Sequence, residues 1–174
     1  MVPKTWDDFE KAGQRVKAVA PNAYLASFYP NDPVVTAGLA WQAGAKWFST
    51  EGDTWKIGVK DEATQKVANY WQKLIDEKIV KVEQSFSDEW SADLASSTVV
   101  GVLGASWSAP GLQSRTKANN QAGQWIAAEV PNWGNPSNGF LGGSSFNIPK
   151  GSKNPAAAAK FIEFLTSYDP TLAP

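Results

Sequence analysis

Thr98-Val99-Val100-Gly101-Val102-Leu103 followed by Gly104-Ala105-Ser106-Trp107 is the stretch on which the fold turns. The first six residues are β-branched or apolar apart from one glycine, and they predict a buried strand. The next four are small until Trp107, and lead out of that strand toward a helix near Leu112. A strand that hands over to a helix through small residues is the repeating unit of α/β proteins.

The same alternation recurs on both sides of this stretch. Thr5 caps a first helix carrying Trp6, Phe9, Gly13 and Val16 on one face, with Asp7 and Asp8 at its positive end, and the helix fades near Ala20-Pro21. Tyr24 to Tyr29 reads as a short strand, broken by Pro30-Asn31-Asp32-Pro33, and a second helix runs from about Val34 to Gln42 with Gly44 as its stop. Lys46 to Ser49 and Thr54 to Ile57 flank the turn formers Glu51-Gly52-Asp53 as a hairpin, with Trp47 and Trp55 as a cross-strand pair. Val67, Tyr70, Trp71, Leu74 and Ile75 form a one-sided stripe, the clearest helix of the chain. Ser87 caps a shorter helix with Trp90 and Leu94. Gln124 to Val130 and Gly143 to Ile148 read as further strands, and the last helix starts at Asn154-Pro155 with Ala158, Phe161, Ile162 and Leu165 on its buried face. The expected class is α/β.

Composition excludes much chemistry. The 174 residues hold 16 Lys and Arg against 17 Asp and Glu, nine Trp, no His and no Cys. Zinc fingers, Ser-His-Asp and Cys-His nucleophiles, thiol redox motifs and haem ligation are therefore out, and neither metal nor cofactor is expected. A near-neutral balance argues against nucleic-acid binding, which rests on Lys and Arg. Residues Met1 to Trp6 contain no apolar signal region, and the uncharged runs Leu94 to Ser114 and Val130 to Pro149 are too rich in Gly, Ser, Asn and Pro for a membrane span. The carboxylates lie in helix caps and on charged helix faces such as Asp61-Glu62 and Asp76-Glu77, so no acid–base pair stands out, and no Gly-rich phosphate loop occurs. An enzyme is not expected.

The tryptophans carry the positive signal. Trp6 and Trp71 sit on helical stripes and read as core, and Trp90 and Trp125 fit core edges. Trp133, in a Pro/Asn/Gly loop, has no clear assignment. Trp107 lies where a strand gives way to a helix, among small and hydroxyl residues, and Trp41 lies near the end of its helix. Ends of strands in open α/β sheets are where ligands collect. An indole there offers a flat face for the C–H side of a pyranose, while amides and carboxylates serve its hydroxyls. Asn31 and Asp32, between two prolines, suit that rim, although Asp32 equally suits a helix cap and Asn31 a turn.

Several segments in register resemble the extracellular solute-binding proteins of sugar ABC importers, the family that includes maltose-binding protein. These are Val2-Pro3-Lys4-Thr5-Trp6-Asp7-Asp8-Phe9, Leu39-Ala40-Trp41-Gln42-Ala43-Gly44, the helix Val67 to Ile79, Ser85-Phe86 through Leu94, Gly104-Ala105-Ser106-Trp107, and Gly142-Gly143-Ser144 through Ser152-Lys153-Asn154-Pro155-Ala156-Ala157. Ala43 replaces a glycine of that pattern, and the Gly-x-Trp element carries one extra residue. The resemblance implies one lobe of a type II periplasmic-binding-protein-like fold, truncated at both ends. Residues 1–140 would form the second lobe, and residues 141–174 a strand and helix that cross the hinge to a first lobe preceding this sequence. It further implies that Trp107 stacks on sugar, that Tyr29 to Asp32 line the cleft, and that Gly142, Gly143 and Ser144 touch ligand. The implied partners are a mono- or oligosaccharide and ABC permease subunits, with an extracellular or periplasmic place and a lipoprotein anchor in the full-length protein. A lobe standing alone would invite a strand-exchanged homodimer. The alternative from the residues is a self-contained carbohydrate-binding module or lectin-like domain, normally all-β; a carboxylate hydrolase ranks last.

Overall fold

Helix α1 (Trp6–Val19) starts at a reciprocal cap: Thr5 Oγ1 accepts from the Asp8 amide at 3.1 Å and the Asp8 carboxylate accepts from the Thr5 amide at 3.3 Å. The computed structural model describes residues 2–117, 125–135, 137, 142 and 145–167. After α1 come β1 (Ala26–Phe28), α2 (Pro33–Gln42), the hairpin β2 (Phe48–Glu51) and β3 (Thr54–Ile57), α3 (Glu62–Asp76), β4 (Val80–Val82), α4 (Asp88–Ala95), a 3-10 turn (Ser106–Ser108), α5 (Ala109–Lys117) and α6 (Pro155–Thr166). The described residues fall into two compact units, one ending at residue 142 and one from 143 onward. Among them no helix is long and apolar enough to cross a membrane.

In the first unit β1 and β4 pair in parallel, Ala26 opposite Val80 and Phe28 opposite Val82, with α2, the hairpin and α3 as the crossover between them. Side chains alternate across a strand, so Ala26, Phe28 and Val80 face one side while Ser27, Tyr29, Lys81 and Glu83 face the other. The first side meets the main core of Trp6, Phe9, Val67, Tyr70, Trp71, Leu74 and Ile79. Trp6 is 1% exposed and receives Phe9, Tyr70 and Trp71 edge-on at centroid distances of 5.5–5.8 Å. The Tyr70 hydroxyl donates to the Trp6 carbonyl at 2.6 Å, and burial pushes that phenol far above its ordinary range. Gly13 sits so close to Ile79 that a methyl group there would meet Ile79 Cγ2 at 2.2 Å, which fixes how α1 lies on the sheet.

The structure revises several sequence expectations. The strand over Thr98–Leu103 shrinks to one parallel bridge between Val99 and Tyr24, after which the chain peels away toward the 3-10 turn. Residues 125–130 form no strand either; pairing there is a single bridge between Thr5 and Asn132. Trp47 and Trp55 are not a cross-strand pair. Trp55 opposes Thr50 and is 71% exposed, whereas Trp47 precedes β2, donates its indole N–H to Thr64 Oγ1 at 2.7 Å and lies edge-on to Trp41. Trp133 joins the core, edge-on to Tyr70 at 5.2 Å and tilted against Trp6 at 6.0 Å. The residues expected to form a strand in the second unit, 145–148, are irregular, and 143–144 lie outside the described residues. In that unit α6 buries no residue: Phe161 and Leu165 stay exposed and only Ala158 and Ile162 are half-covered, because no other described helix or strand of the unit lies alongside.

Candidate functional site

The second face of the β1/β4 sheet is where polar chemistry collects. Ser27 donates to Glu83 Oε1, and the Lys81 ammonium lies 3.5 Å from Glu83 Oε2 and 2.7 Å from Glu89 Oε1, with Asp93 Oδ2 closer still. Glu83, Glu89 and Asp93 bring their oxygens within 4.8 Å of one another, and Lys81 occupies the place a cation would take between them. Hydrogen bonds to Asp93 and then Glu89 push the Lys81 ammonium well above its usual range, while burial raises the Glu83 carboxyl against the pull of Ser27.

Tyr29 connects this network to a cavity of about 200 Å³. Its phenol lies beside Ser27 and the Trp90 indole, and burial pushes it up to about 12. Tyr29 is 5% exposed and lines the cavity. Trp90, fixed by the Ser87 cap of α4, is edge-on to Tyr29, and its Nε1 has no hydrogen-bond partner. Phe86 is edge-on to Trp90 at 5.4 Å and stacks with Trp107 at 6.2 Å and 29°. The cavity wall is thus a run of four aromatic rings. Val35, Val102, Leu103 and Leu112 supply its aliphatic lining, and Asp32, Ser85, Ser108 and Arg115 its polar groups.

Local sequence places each of these. Gly104 lets the chain turn into the 3-10 segment, since a Cβ there would meet Ser108 Oγ at 2.4 Å; that hydroxyl donates to the Ala105 carbonyl at 2.7 Å. Trp107 on the turn is 58% exposed and open to a ligand. Arg115 lies over the Trp90 ring, its Nε donating to Ser91 Oγ and one Nη to the Gly111 carbonyl. Asp32 caps α2, Oδ1 accepting from the amides of Val34 and Val35 at 3.2 and 3.3 Å. It is the sole carboxylate among the described lining residues, one short of an acid–base pair.

Of the residues singled out in the sequence, Trp107, Tyr29 and Asp32 line one cavity. Gly142 adopts a φ of +89° and lies against Trp107, its Cβ position 3.6 Å from the indole nitrogen. Asn31 is outside the lining and bonds Ser85 instead. Trp41 is also outside: it and Asp32 mark opposite ends of α2, nine residues and so about 14 Å apart along the axis. Gly143 and Ser144 lie outside the described residues. Sequence reasoning missed Phe86, Trp90 and Arg115 as lining. Phe86 had one available signal, an aromatic beside the Ser87 helix cap with no apolar stripe to join.

Residues 2–173 match the family model described as bacterial extracellular solute-binding protein. The chain is 24% identical over 166 residues to the arabinooligosaccharide-binding protein of Bacillus subtilis (strain 168), covering 92% of this chain and 37% of that protein. Among solved structures it is similar, with a TM-score of 0.77 and 30% identity, to the ABC-transporter-associated binding protein from B. animalis subsp. lactis Bl-04 in complex with β-1,6-galactobiose; 92% of this chain and 40% of that one are covered. It also shares the fold of the galacto-N-biose/lacto-N-biose I-binding protein of Bifidobacterium longum in complex with lacto-N-biose, at TM-score 0.77 and 24% identity, covering 94% and 41%. The chain therefore spans about 40% of the length of these relatives. Six α-helices among the described residues set it apart from the all-β architecture of carbohydrate-binding modules. The chain belongs to the bacterial extracellular solute-binding proteins, a family that binds its solutes rather than transforming them, and its fold is part of that α/β binding-protein fold.

Proposed function

We propose that this chain is most of one lobe of a sugar-binding component of an ABC importer, and that it holds a mono- or oligosaccharide in an inter-lobe cleft for delivery to permease subunits. The observation that carries this is the aromatic-walled cavity with exposed Trp107 at its mouth. Stacking on Trp107 takes the apolar face of a pyranose, while Asp32, Ser108 and Arg115 stand ready for its hydroxyls. The solved relative bound to β-1,6-galactobiose supports the ligand class.

On this reading residues 141–174 cross the hinge toward the other lobe, with Gly143 and Ser144 touching ligand on the way, and Trp41 contacts ligand beyond the cavity. The complete protein works outside the cytoplasmic membrane, anchored as a lipoprotein. Half a cleft lacks the converging contacts that convert burial into affinity, so the 174-residue chain binds sugar weakly, and its 145–167 segment is free to exchange with a second copy.

Calorimetric titration of β-1,6-galactobiose into the complete protein and into this chain tests the reading. Binding by the complete protein, loss of at least tenfold with Trp107→Ala, and weak binding by the lobe are expected. Unchanged affinity in Trp107→Ala, or tight binding by the lobe, would refute it. Light scattering on the lobe tests exchange: a strict monomer at high concentration argues against it.

A further inference from the structure

Phe86 carries a strained backbone in the cavity wall. Its φ is +60°, a left-handed conformation that a bulky side chain rarely adopts, and the residue is 55% exposed. Strain of that kind persists only where the surroundings impose it. The residue before it shows what does. The Ser85 amide donates to Asn31 Oδ1 at 3.3 Å, and Asn31 Nδ2 donates to Ser85 Oγ at 3.4 Å, a two-point clamp spanning 54 positions of sequence. On its other side, Phe86 is followed by Ser87, held as the cap of α4 with Oγ accepting from the Trp90 amide at 3.1 Å. The linker from β4 to α4 is thus fixed on both flanks of Phe86.

The consequence is geometric. Phe86 and Trp107 lie within 29° of parallel at a centroid distance of 6.2 Å. For ring planes at the ordinary stacking separation of about 3.5–4 Å, that distance corresponds to a sideways slip of about 5 Å. They form two steps of a platform, and neither ring covers the other's whole face. The slip is comparable to the length of one pyranose ring.

We infer that Asn31 is a positioning residue: by clamping Ser85 it holds Phe86 beside Trp107, and the resulting two-ring platform selects a ligand with at least two linked sugar rings. The clamp itself is a property of the ligand-free lobe; the ligand class rests on the sugar-binding reading above. The platform differs from a single stacking indole in what it discriminates. A monosaccharide covers one step, whereas a disaccharide gains contact with both rings.

Two arms test this on the 174-residue chain. The first uses no ligand: NMR couplings that report φ at Phe86 are compared in wild type, Asn31→Ala and Asn31→Asp. Asn31→Ala is expected to release Phe86 to negative φ, and Asn31→Asp, which keeps the acceptor for the Ser85 amide, to retain the left-handed value. Phe86→Gly is expected to unfold at a higher midpoint than Phe86→Ala, since glycine relieves the strain. An unchanged φ in Asn31→Ala overturns the clamp. The second arm titrates β-1,6-galactobiose and galactose by NMR shift changes. Galactobiose is expected to bind about tenfold more tightly than galactose, and Phe86→Ala to lose most of that margin. Asn31→Ala is expected to lose it too, with no further loss when combined with Phe86→Ala. Additive losses would place Asn31 on the sugar directly and overturn the inference. If neither sugar shifts any wild-type resonance, the two-ring selection is overturned, while the sugar-binding reading still stands or falls with the complete protein and the first arm still decides the clamp.

Discussion

Replacing Gln42 by Ala is the sharpest test of how the loop that leads toward Gly142 is fixed to the lobe. Gln42 is 9% exposed at the end of α2, and both ends of its amide are committed: Oε1 accepts from Trp6 Nε1 at 2.8 Å, while Nε2 donates to the Pro131 carbonyl at 2.8 Å and the Ser137 carbonyl at 3.2 Å. Alanine strips the partner from the buried Trp6 N–H and from the buried Pro131 carbonyl together. Each orphaned buried group costs about 1–3 kcal/mol, so a loss of about 3–4 kcal/mol is expected for the pair. With a urea slope of about 2 kcal/mol/M, the midpoint falls by about 1.5–2 M. Urea unfolding followed by tryptophan fluorescence reads this directly. Gln42→Glu separates hydrogen bonding from volume, because a carboxylate can still accept from Trp6 but faces two carbonyls with nothing to donate. Its carboxyl is then raised in the folded state, so its deficit relative to wild type shrinks as pH falls and the proton supplies the missing donor. A Gln42→Ala midpoint within about 0.3 M of wild type, or a Gln42→Glu deficit that ignores pH, would refute the reasoning.

Two further outcomes follow from the same geometry. Asp61 caps α3, its carboxylate accepting from Thr64 and from the Lys46 amide at 2.8 Å each, and the Thr64 side chain and these amides hold its carboxyl below the usual 3.8. A depressed folded-state value means stability that is present above pH 4 and lost as pH falls below it, so Asp61→Asn is expected to show a shallower acid decline in melting temperature than wild type; identical slopes would show the cap to be electrostatically idle. Trp133→Ala is expected to destabilise by roughly 2 kcal/mol or more, and Trp55→Ala by less than about 0.5 kcal/mol, since the first ring packs on Trp6 and Tyr70 and the second stands in solvent; chemical unfolding that ranks them the other way would overturn both placements.

The helices were legible because their signals are local. The Thr5 and Asp8 cap, the Val67 to Ile75 stripe, the Ser87 cap and the Asn154-Pro155 start each lie within a few residues, and all four helices appear there. Trp107 was legible for the same reason, as an indole among small residues after an apolar run. Strands were less so. Val80–Val82 is three residues long, too short for alternation to show, and Thr98–Leu103 looks like a full strand although one bridge is all it makes. The tryptophans of the loop and hairpin divided against expectation, because whether an indole is buried depends on what the chain brings over it. Trp133 meets Trp6, more than a hundred positions earlier.

The cavity shows why its floor in particular escaped a reading of the sequence. Tyr24 to Tyr29 shows no polar pattern to mark a face, and its strand proper is only Ala26–Phe28. The polar character of one face emerges only when β4 pairs in parallel, setting Ser27 opposite Lys81 and carrying Glu83 past Phe28. Parallel sheets are normally apolar on both faces. Here one face takes a carboxylate, an ammonium and a hydroxyl, and removing either partner of the ion pair would cost far more than the pair contributes. Lys81 lies among three carboxylates, Ser27 donates to Glu83 Oε1, Glu83 Oε2 keeps only the 3.5 Å ion pair among the described residues, and the Tyr29 phenol lies beside Ser27 and Trp90. The parallel pairing, which joins positions 54 residues apart, thus sets Tyr29, a residue that reads in sequence as a hydrogen-bonding rim, into an aromatic wall with Trp90, Phe86 and Trp107.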